Sequence, residues 1–324
     1  MTNVQTWSRR QVGAGLILGA AATPLSKLSA AAGDPMAAAP ILDVQDPQVN
    51  LESLMKLVGD TSGKPVVGWY SGHVFGVRPD EKVQPLFGVE GFGVGRFERQ
   101  EDGSFRQIWR EVGAYRDIET GEIMSRWKNP YTGETNQIMD IQNGAINQVW
   151  RNKTPQLPDI PDLDFTFGNY GHADDMVLPW MIDTAGDYAS IMYDVIGRRR
   201  SQLDPEVWKR ESPGPFARVM ECYQYGSKLS YIADPELTSA PYAGAWQRLA
   251  DWLPWMLMDQ APGHLFYRAG TRKLRSVEDL PADLLAYAKA NYPTFLEAPT
   301  EWKMETESSF DVYQRLRKPA PPRA

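Results

Sequence analysis

Residues 66–150 contain a succession of short segments rich in aromatic and β-branched residues, each ended by turn residues. The segments are 66–77, 85–100, 105–117, 122–128, 134–142 and 145–150. Gly103, Gly121 and Gly133 end three of the turns, where a tight hairpin favours a positive φ. The run predicts a mainly β fold with helical additions (α+β). We expect an antiparallel meander that closes into a calycin-like barrel or a strongly twisted sheet, covered by long loops and a few helices.

The segment 105–117 shows what such a strand presents on its two faces. One face carries Trp109 and Glu111, and the other carries Ile108 and Arg110. Neither face is purely apolar. Two interpretations remain open: the strand sends polar groups into a barrel interior while its other face packs under a covering layer, or it has an ordinary solvated outer face.

The N-terminus has the layout of an export signal. Arg9 and Arg10 precede a short apolar run, 12–25, and the small residues Ala30 and Ala32 follow it. This order is typical of a bacterial twin-arginine leader, and the run is shorter than the about 20 residues of a membrane-spanning helix. A buried N-terminal helix is the alternative. We expect the twin-arginine translocase to export the protein to the periplasm or beyond, without stable membrane insertion.

The chain divides into four parts. They are an export signal at 1–32, a connector with one helix at 33–63, a single β-rich domain at 64–318 and a disordered tail at 319–324. Within the connector, Asp46 or Asn50 is placed to cap a helix over 51–58. The tail is basic and rich in proline, a composition that favours disorder.

Charge and cysteine content exclude several classes of function. The formal net charge is −7, and a nucleic-acid partner is not expected because a phosphate backbone requires a basic face. Cys222 is the one cysteine, so no internal disulfide is possible. No CxxC pair or Cys/His set is present, and we therefore predict no cofactor.

The three histidines, His73, His172 and His264, are too far apart in the sequence to suggest a metal site. His172 precedes Asp174 in a glycine-rich stretch, and a carboxylate beside an imidazole is an acid–base pair. The alternative is a turn and helix cap with no catalytic role. We predict no metal and retain His172 and Asp174 as catalytic candidates.

His73 is a second candidate base, at the start of the meander. If it points inward, Tyr70, Arg110 and Glu111 from the same or neighbouring strands are available to share the barrel interior. Alternation does not allow all four side chains on one face. We take His73, Tyr70 and Arg110 as catalytic candidates and expect Glu111 to contact substrate.

The chain has 11 Trp and 14 Tyr, and two explanations fit this aromatic content. Large cores use tryptophan freely, and aromatic-lined cavities suit apolar or aromatic ligands. On the second explanation the expected substrate-binding residues, besides Glu111, are Trp69, Trp127, Tyr170, Tyr223, Trp252 and Trp255. The glycines of 88–95 are flanked by strands, so they favour strand bending over a phosphate-binding loop.

Several motifs resemble a known family. The stretch 127–135 reads WKNPYTGET, and WLPWM at 252–256 and PGHL at 262–265 follow it. These motifs resemble the bacterial and fungal family DUF1838, over nearly all of the chain after the leader. The resemblance implies an exported protein and assigns no activity or catalytic residue.

Two functions fit these observations. The first is a cofactor-independent isomerase, lyase or cyclase of an apolar or aromatic small molecule, acting by acid–base chemistry of His, Tyr and Asp side chains. The second is a periplasmic carrier that uses the same pocket without catalysis. If the protein binds a hydrophobic ligand but His73→Ala and His172→Ala leave every detected turnover unchanged, the enzyme interpretation fails.

Overall fold

The structure, a computed structural model, describes residues 42–153, 163–167, 171–172, 175–302 and 307–323. The strands are β1 (Val66–Val77), β2 (Gln84–Arg99), β3 (Phe105–Arg116), β4 (Arg126–Lys128), β5 (Thr135–Gln137), β6 (Ile141–Trp150), β7 (Leu163–Phe167), β8 (Gly171–His172), β9 (Asp175–Met176), β10 (Trp180–Asp183), β11 (Tyr188–Arg200), β12 (Phe216–Ser227), β13 (Ala243–Ala250) and β14 (His264–Leu274). The α-helices are α1 (Pro47–Val58), α2 (Leu229–Ala233), α3 (Ala282–Asn291) and α4 (Ser309–Leu316). Short 3₁₀ helices lie at Pro254–Met256, Val277–Asp279 and Pro293–Leu296.

One antiparallel sheet dominates the fold. Its strands follow the order β10-β11-β12-β13-β14-β1-β2-β3-β6, and β7 pairs with β11 beyond the stretch that β10 covers. The sheet curls into a half-barrel, which confirms the predicted mainly β fold class. The predicted turns at Gly103, Gly121 and Gly133 are also present, with φ of 81°, 75° and 75°.

Strands β4 and β5 depart from the predicted meander. They pair only with each other, and β3 pairs directly with β6. Their hairpin is held against the end of the half-barrel by Asn129 and Asn136, whose amides donate to the Met256 carbonyl over 2.8 and 2.9 Å. These long-range side-chain bonds are not encoded in strand alternation, so the sequence prediction missed the detachment.

Helix α1 closes one end of the half-barrel. Asp46 caps it by accepting from the backbone N–H of Gln48 and Val49, so the predicted helix is present and begins four residues earlier than expected. Leu54 and Met55 are fully buried in a cluster with side chains of β2, β3, β6 and β11.

Aromatic side chains close the other end. Phe87 on β2 contacts Trp127 of the β4–β5 hairpin and Trp255 at ring-centroid distances of 5.3 and 5.6 Å. Trp127 and Trp255 pack edge to face at 5.7 Å. Outside the sheet, Leu284 and Ala288 of α3 cover Phe92, Val94 and Val112.

The C-terminal segment lies against the domain, where the sequence predicts a disordered tail over 319–324. The Ala320 N–H donates to Glu211 Oε1 over 2.6 Å, and Arg323 pairs with Asp259 at 2.8 Å and with Glu134 at 3.3 Å. The basic composition of the tail predicts disorder. The acidic residues that bind it come from distant parts of the chain, so the tail sequence does not reveal these contacts. Ala324 and the predicted leader lie outside the described residues.

Within the described ranges, no helix is both long enough and apolar enough to cross a membrane.

Candidate functional site

The inner faces of the strands surround a cavity of about 470 Å³, within the range of about 300–1,000 Å³ for small-molecule sites. Its walls come from β1, β2, β3, β6 and β11 to β14. Val58 at the end of α1 lines one part, Trp255 another, and Ser308 to Phe310 at the start of α4 a third. The curled sheet therefore surrounds a partly open cavity and does not pack solid.

Glycines on the inner face of β2 leave room for larger neighbours. A Cβ atom at Gly91 would collide with the Tyr70 hydroxyl, and one at Gly93 would collide with the Trp109 indole. Tyr70 and Trp109 come from the strands on either side, β1 and β3. The glycine-rich run thus lets two cavity-lining aromatics lie across β2, a role more specific than the predicted bending of the strand.

Glu111 is the central acid of the cavity. It lies on β3, and the Asn143 amide of β6 donates to its Oε2 over 2.8 Å. Burial raises the pKa of the Glu111 carboxyl, while the nearby Tyr70 hydroxyl and Asn143 oppose the shift. The residue keeps some accessible surface, and it lines the cavity. A carboxyl in this environment can exchange a proton with a bound molecule.

Tyr70 faces Glu111 from β1. Its buried hydroxyl makes no hydrogen bond of normal geometry with a described residue, although it lies near enough to Glu111 for each group to shift the other. Burial raises the pKa of Tyr70 well above its ordinary value, and the Glu111 charge adds to this. Tyr70 therefore stays protonated and can donate to developing negative charge.

Arg248 on β13 is a cation whose charge acts on both Glu111 and Tyr70. Its Nη1 lies 3.4 Å from Glu221 Oε1, and the Tyr223 hydroxyl donates to Glu221 Oε2 over 3.0 Å. Burial opposes its charge, but Glu221 and the surrounding tyrosines raise the pKa of Arg248 above its ordinary value. A permanent positive charge thus stands on the wall opposite the buried acid.

Tyrosines form much of the remaining wall. The Tyr193 and Tyr223 rings stack at 5.2 Å, Tyr223 and Tyr225 stack at 6.2 Å, and Tyr225 meets Tyr242 edge to face at 4.7 Å. Burial raises the pKa of Tyr242 to about 12. Neutral phenols of this kind supply flat apolar surface and hydrogen-bond donors together.

Four of the residues predicted from the sequence line the cavity. They are Tyr70, Glu111, Tyr223 and Trp255. The odd-numbered face of β3, with Gln107, Trp109 and Glu111, points inward, whereas Ile108 and Val112 are buried on the outer side. Of the two interpretations of this strand, the polar barrel interior is therefore the one observed.

Other predicted residues do not line it. His73 is exposed on the outer face of β1, opposite Arg268 of β14, and Arg110 donates to the Thr294 carbonyl over 2.6 Å. Trp69 is also on the outer side, and its indole donates to Glu90 over 3.0 Å. The reason is alternation: Trp69 and His73 have opposite parity to Tyr70, and Arg110 has opposite parity to Glu111.

Trp127 and Trp252 are buried in the same hydrophobic cluster as Phe87 and Trp255, at one end of the half-barrel, and do not line the cavity. The Trp252 indole donates to the Ala261 carbonyl over 2.9 Å. Tyr170 and Asp174, and the side chain of His172, lie outside the described residues.

Several cavity residues were missed by the sequence reasoning: Asn143, Trp246, Arg248, Glu221 and Tyr267. Alternation offered a signal for some of them. Glu221, Tyr223 and Tyr225 share one face of β12, and Trp246 and Arg248 share one face of β13. The prediction that Tyr223 binds substrate could therefore have been extended to Glu221, two residues earlier on the same face.

Metal ligation finds no support in the described parts of the chain, where no group of three or more His, Cys, Asp or Glu side chains could hold an ion.

His264 lies in a separate outer groove with Arg218 and Asp251.

Comparison with known proteins identifies a family. A family model described as a protein of unknown function (DUF1838) matches residues 63–317. A search of curated proteins and a search of solved structures each found no match. The matched residues include strands β1 to β14 and hence most of the cavity wall. As the sequence motifs predict, the chain belongs to the DUF1838 family.

Proposed function

We propose that the cavity binds an apolar or aromatic small molecule and that the protein is a cofactor-independent isomerase or lyase. Glu111 transfers the proton, and Tyr70 donates a hydrogen bond to the negative charge that develops. The observation that carries this proposal is the Glu111 carboxyl on an aromatic cavity wall, with its pKa raised by burial and with the buried Tyr70 hydroxyl beside it. Functional sites commonly perturb titratable groups in this way.

Glu111 takes the role that the sequence assigned to His73, because His73 lies on the outer face. In the proposed step, the Glu111 carboxylate accepts a proton from a carbon next to a carbonyl, and the C–H electron pair moves to the carbonyl oxygen as an enolate. Tyr70 stabilises that oxygen. The proton then returns to another carbon in an isomerase or to a departing group in a lyase.

A non-catalytic carrier is the second candidate. Both ends of the half-barrel are filled by packed side chains, with α1 at one end and Phe87, Trp127 and Trp255 at the other. A ligand held between them would be largely surrounded by protein side chains, which suits storage or transport as well as catalysis.

Proton exchange distinguishes the two candidates without knowledge of the natural product. Protein is incubated in heavy water with 1-indanone and 1-tetralone, two enolisable aromatic ketones, and deuterium at the α-carbon is followed by mass spectrometry. We expect faster exchange than in buffer, and an about 10²–10⁴-fold loss of that acceleration in Glu111→Gln. The exposed turn variant Glu119→Gln is the matched control.

Unchanged exchange in Glu111→Gln would exclude Glu111 as the base. Ketone binding without any exchange would favour the carrier. Absence of binding by these ketones and by any molecule co-purified with the protein would remove the ligand proposal itself.

Export is a separate proposal, supported by the arginine pair and short apolar run of the leader. We propose that the translocase for twin-arginine leaders carries the folded protein to the periplasm or beyond. Replacing Arg9 and Arg10 together by lysine should retain a reporter fusion in the cytoplasm. Export that persists after this change would contradict the proposal.

A further inference from the structure

Buried donors on the cavity wall lack partners. Nε1 of Trp246, Nε1 of Trp255 and Nε of Arg248 have no hydrogen-bond acceptor among the described residues, and all three residues line the cavity. The indole residues are 9% and 3% exposed. A buried unpaired donor costs about 1–3 kcal/mol, so several on one wall require an explanation. This wall is short of acceptors.

The Tyr70 hydroxyl is a further buried donor without a partner among the described residues, and it adjoins two of the donors above, Trp246 and Arg248. The Tyr70 and Trp246 rings are 5.4 Å apart, and Arg248 follows Trp246 on the same face of β13. Trp246 and Arg248 both approach the ring of Tyr267, at 5.6 and 5.8 Å. We call Tyr70, Trp246 and Arg248 the donor cluster.

The guanidinium of Arg248 is only partly used. Glu221 is its one ion-pair partner in the described structure, and the contact runs from Nη1 at 3.4 Å. About a third of the side chain, 34%, is accessible, and the residue lines the cavity. Nε has no partner. The edge formed by Nε and Nη2 is one of the two edges that a carboxylate grips with two parallel hydrogen bonds.

Two arginines supply the positive charge around the cavity. Its acids are Glu111, Asp140 and Glu221, and its bases are Arg199 and Arg248. Burial raises the pKa of Glu111 and of Asp140, whose Oδ2 already accepts from Tyr287 and Tyr292 over 2.7 Å each. Both arginines remain charged, so a ligand carboxylate can pair with Arg248 on the side of the guanidinium that Glu221 does not occupy.

We propose that the cavity binds an organic carboxylate with an aromatic or apolar body, whose carboxylate rests on the Nε edge of Arg248. Tyr70 and Trp246 flank that edge with an O–H and an N–H donor. The stacked rings of Tyr193 and Tyr223 offer flat surface for the body of the ligand. An amine has the wrong charge to pair with Arg248, and an uncharged hydrocarbon leaves the donors unpaired.

This inference rests on the proposed function, since it names the ligand class of the same cavity. The test therefore uses a matched ligand set: 2-naphthoate, 2-naphthamide, 2-methylnaphthalene and 2-naphthylmethylamine. Binding at pH 7 is measured by quenching of tryptophan fluorescence and by calorimetry. We expect 2-naphthoate to bind at least about tenfold more tightly than 2-naphthamide, because a hydrogen bond to a charged group contributes about 1.5–3 kcal/mol.

Variants locate the carboxylate. Arg248→Gln should remove the preference for naphthoate over naphthamide, and Arg248→Lys, which keeps the charge but loses the fork, should retain part of it. Arg268→Gln on the outer face is the matched control and should leave the preference unchanged. Circular dichroism establishes that each variant is folded.

The outcomes separate this inference from the proposed function. If naphthamide or methylnaphthalene binds as tightly as naphthoate to the wild-type protein, the carboxylate assignment is wrong while the aromatic cavity stands. If the preference for naphthoate persists in a folded Arg248→Gln protein, the anion lies elsewhere. If no member of the set binds, the proposed ligand class and the cavity function both fail.

Discussion

Two arginines in this protein, Arg210 and Arg248, differ in how many of their hydrogen-bond donors have partners. Arg210 is 8% exposed and pairs with Glu134 and with Asp259, the latter at 3.0 Å, and it also donates to the Pro321 carbonyl over 3.2 Å. Among the described residues, Arg248 in the cavity has a single carboxylate partner at 3.4 Å, and its Nε is unpaired. The cluster around Arg210 is satisfied within the chain. The one around Arg248 is left incomplete, which is what a ligand site requires.

An acid from each of the two regions shows the same contrast. Burial acts to raise the pKa of Glu134, but Arg210 and Arg323 outweigh it, and the pKa is lowered. For Glu111 burial prevails, and the pKa is raised. A fully paired carboxylate stabilises the fold, whereas an under-paired buried one weakens it and remains available for chemistry.

The largest expected effect on stability is at the satisfied cluster. Arg210→Gln leaves Glu134 and Asp259 with Arg323 as their shared partner and removes the buried one. It should lower the free energy of unfolding by about 2–3 kcal/mol, less than for a fully buried pair because both acids are about one-third exposed. Urea denaturation at pH 7 measures this. Arg248→Gln should cost less than Arg210→Gln while losing the naphthoate preference, and the reverse order would undo the comparison.

Gly91→Ala tests the space behind Tyr70. The new Cβ collides with the Tyr70 hydroxyl and with the backbone of Gly113, so we expect a loss of about 1–3 kcal/mol from overpacking. Proton exchange should fall as well. Gly270→Ala is the control, since a Cβ there meets nothing within 4 Å. Equal stability of the two variants would show that β2 tolerates a side chain at position 91.

Glu111→Gln should stabilise the fold at neutral and alkaline pH, by about 0.5–2 kcal/mol. Folded Glu111 holds its proton more tightly than the unfolded chain does, so the wild type loses stability as pH rises from the ordinary value of 4.5 through the raised pKa. Glutamine has no such loss. Urea denaturation between pH 4 and 9 should therefore show the two proteins converging at acid pH.

Glu221 is a second acid whose charge acts on Glu111, so the comparison is repeated in a Glu221→Gln background. Tyr70 and Arg248, the other charged or titratable groups that act on Glu111, keep their protons throughout this range. A gain that is independent of pH would mean that the raised pKa of Glu111 is not its cause.

The smallest effect is at the edge of the satisfied cluster. Arg323 is 40% exposed in its pairs with Glu134 and Asp259, and exposed ion pairs contribute about 0.2–1 kcal/mol. Arg323→Gln should therefore lower stability by no more than that, and the loss should shrink in 0.5 M salt. Limited proteolysis reports whether the tail also loosens. A loss as large as that of Arg210→Gln would place the energetic centre of the cluster in the tail.

Much of the local structure was predictable from short-range rules. Glycine at the turn ends, the Asp46 cap and alternation within 105–117 are decided by backbone sterics and by neighbours in the sequence. Alternation also shows that Tyr70 and His73 cannot share a face. It does not say which face is inside, and for that reason His73 and Arg110 were chosen together with Tyr70 and Glu111.

Turn residues, strand periodicity and motifs, which act over a few residues, predict an antiparallel β protein of the DUF1838 family. They do not predict that β3 bypasses the β4–β5 hairpin to pair with β6, or that Glu111, Asn143 and Arg248 line one cavity. The physical reason is that curling of the sheet and packing of its ends depend on contacts between strands far apart in the chain. Periodicity along one strand carries no information about those contacts.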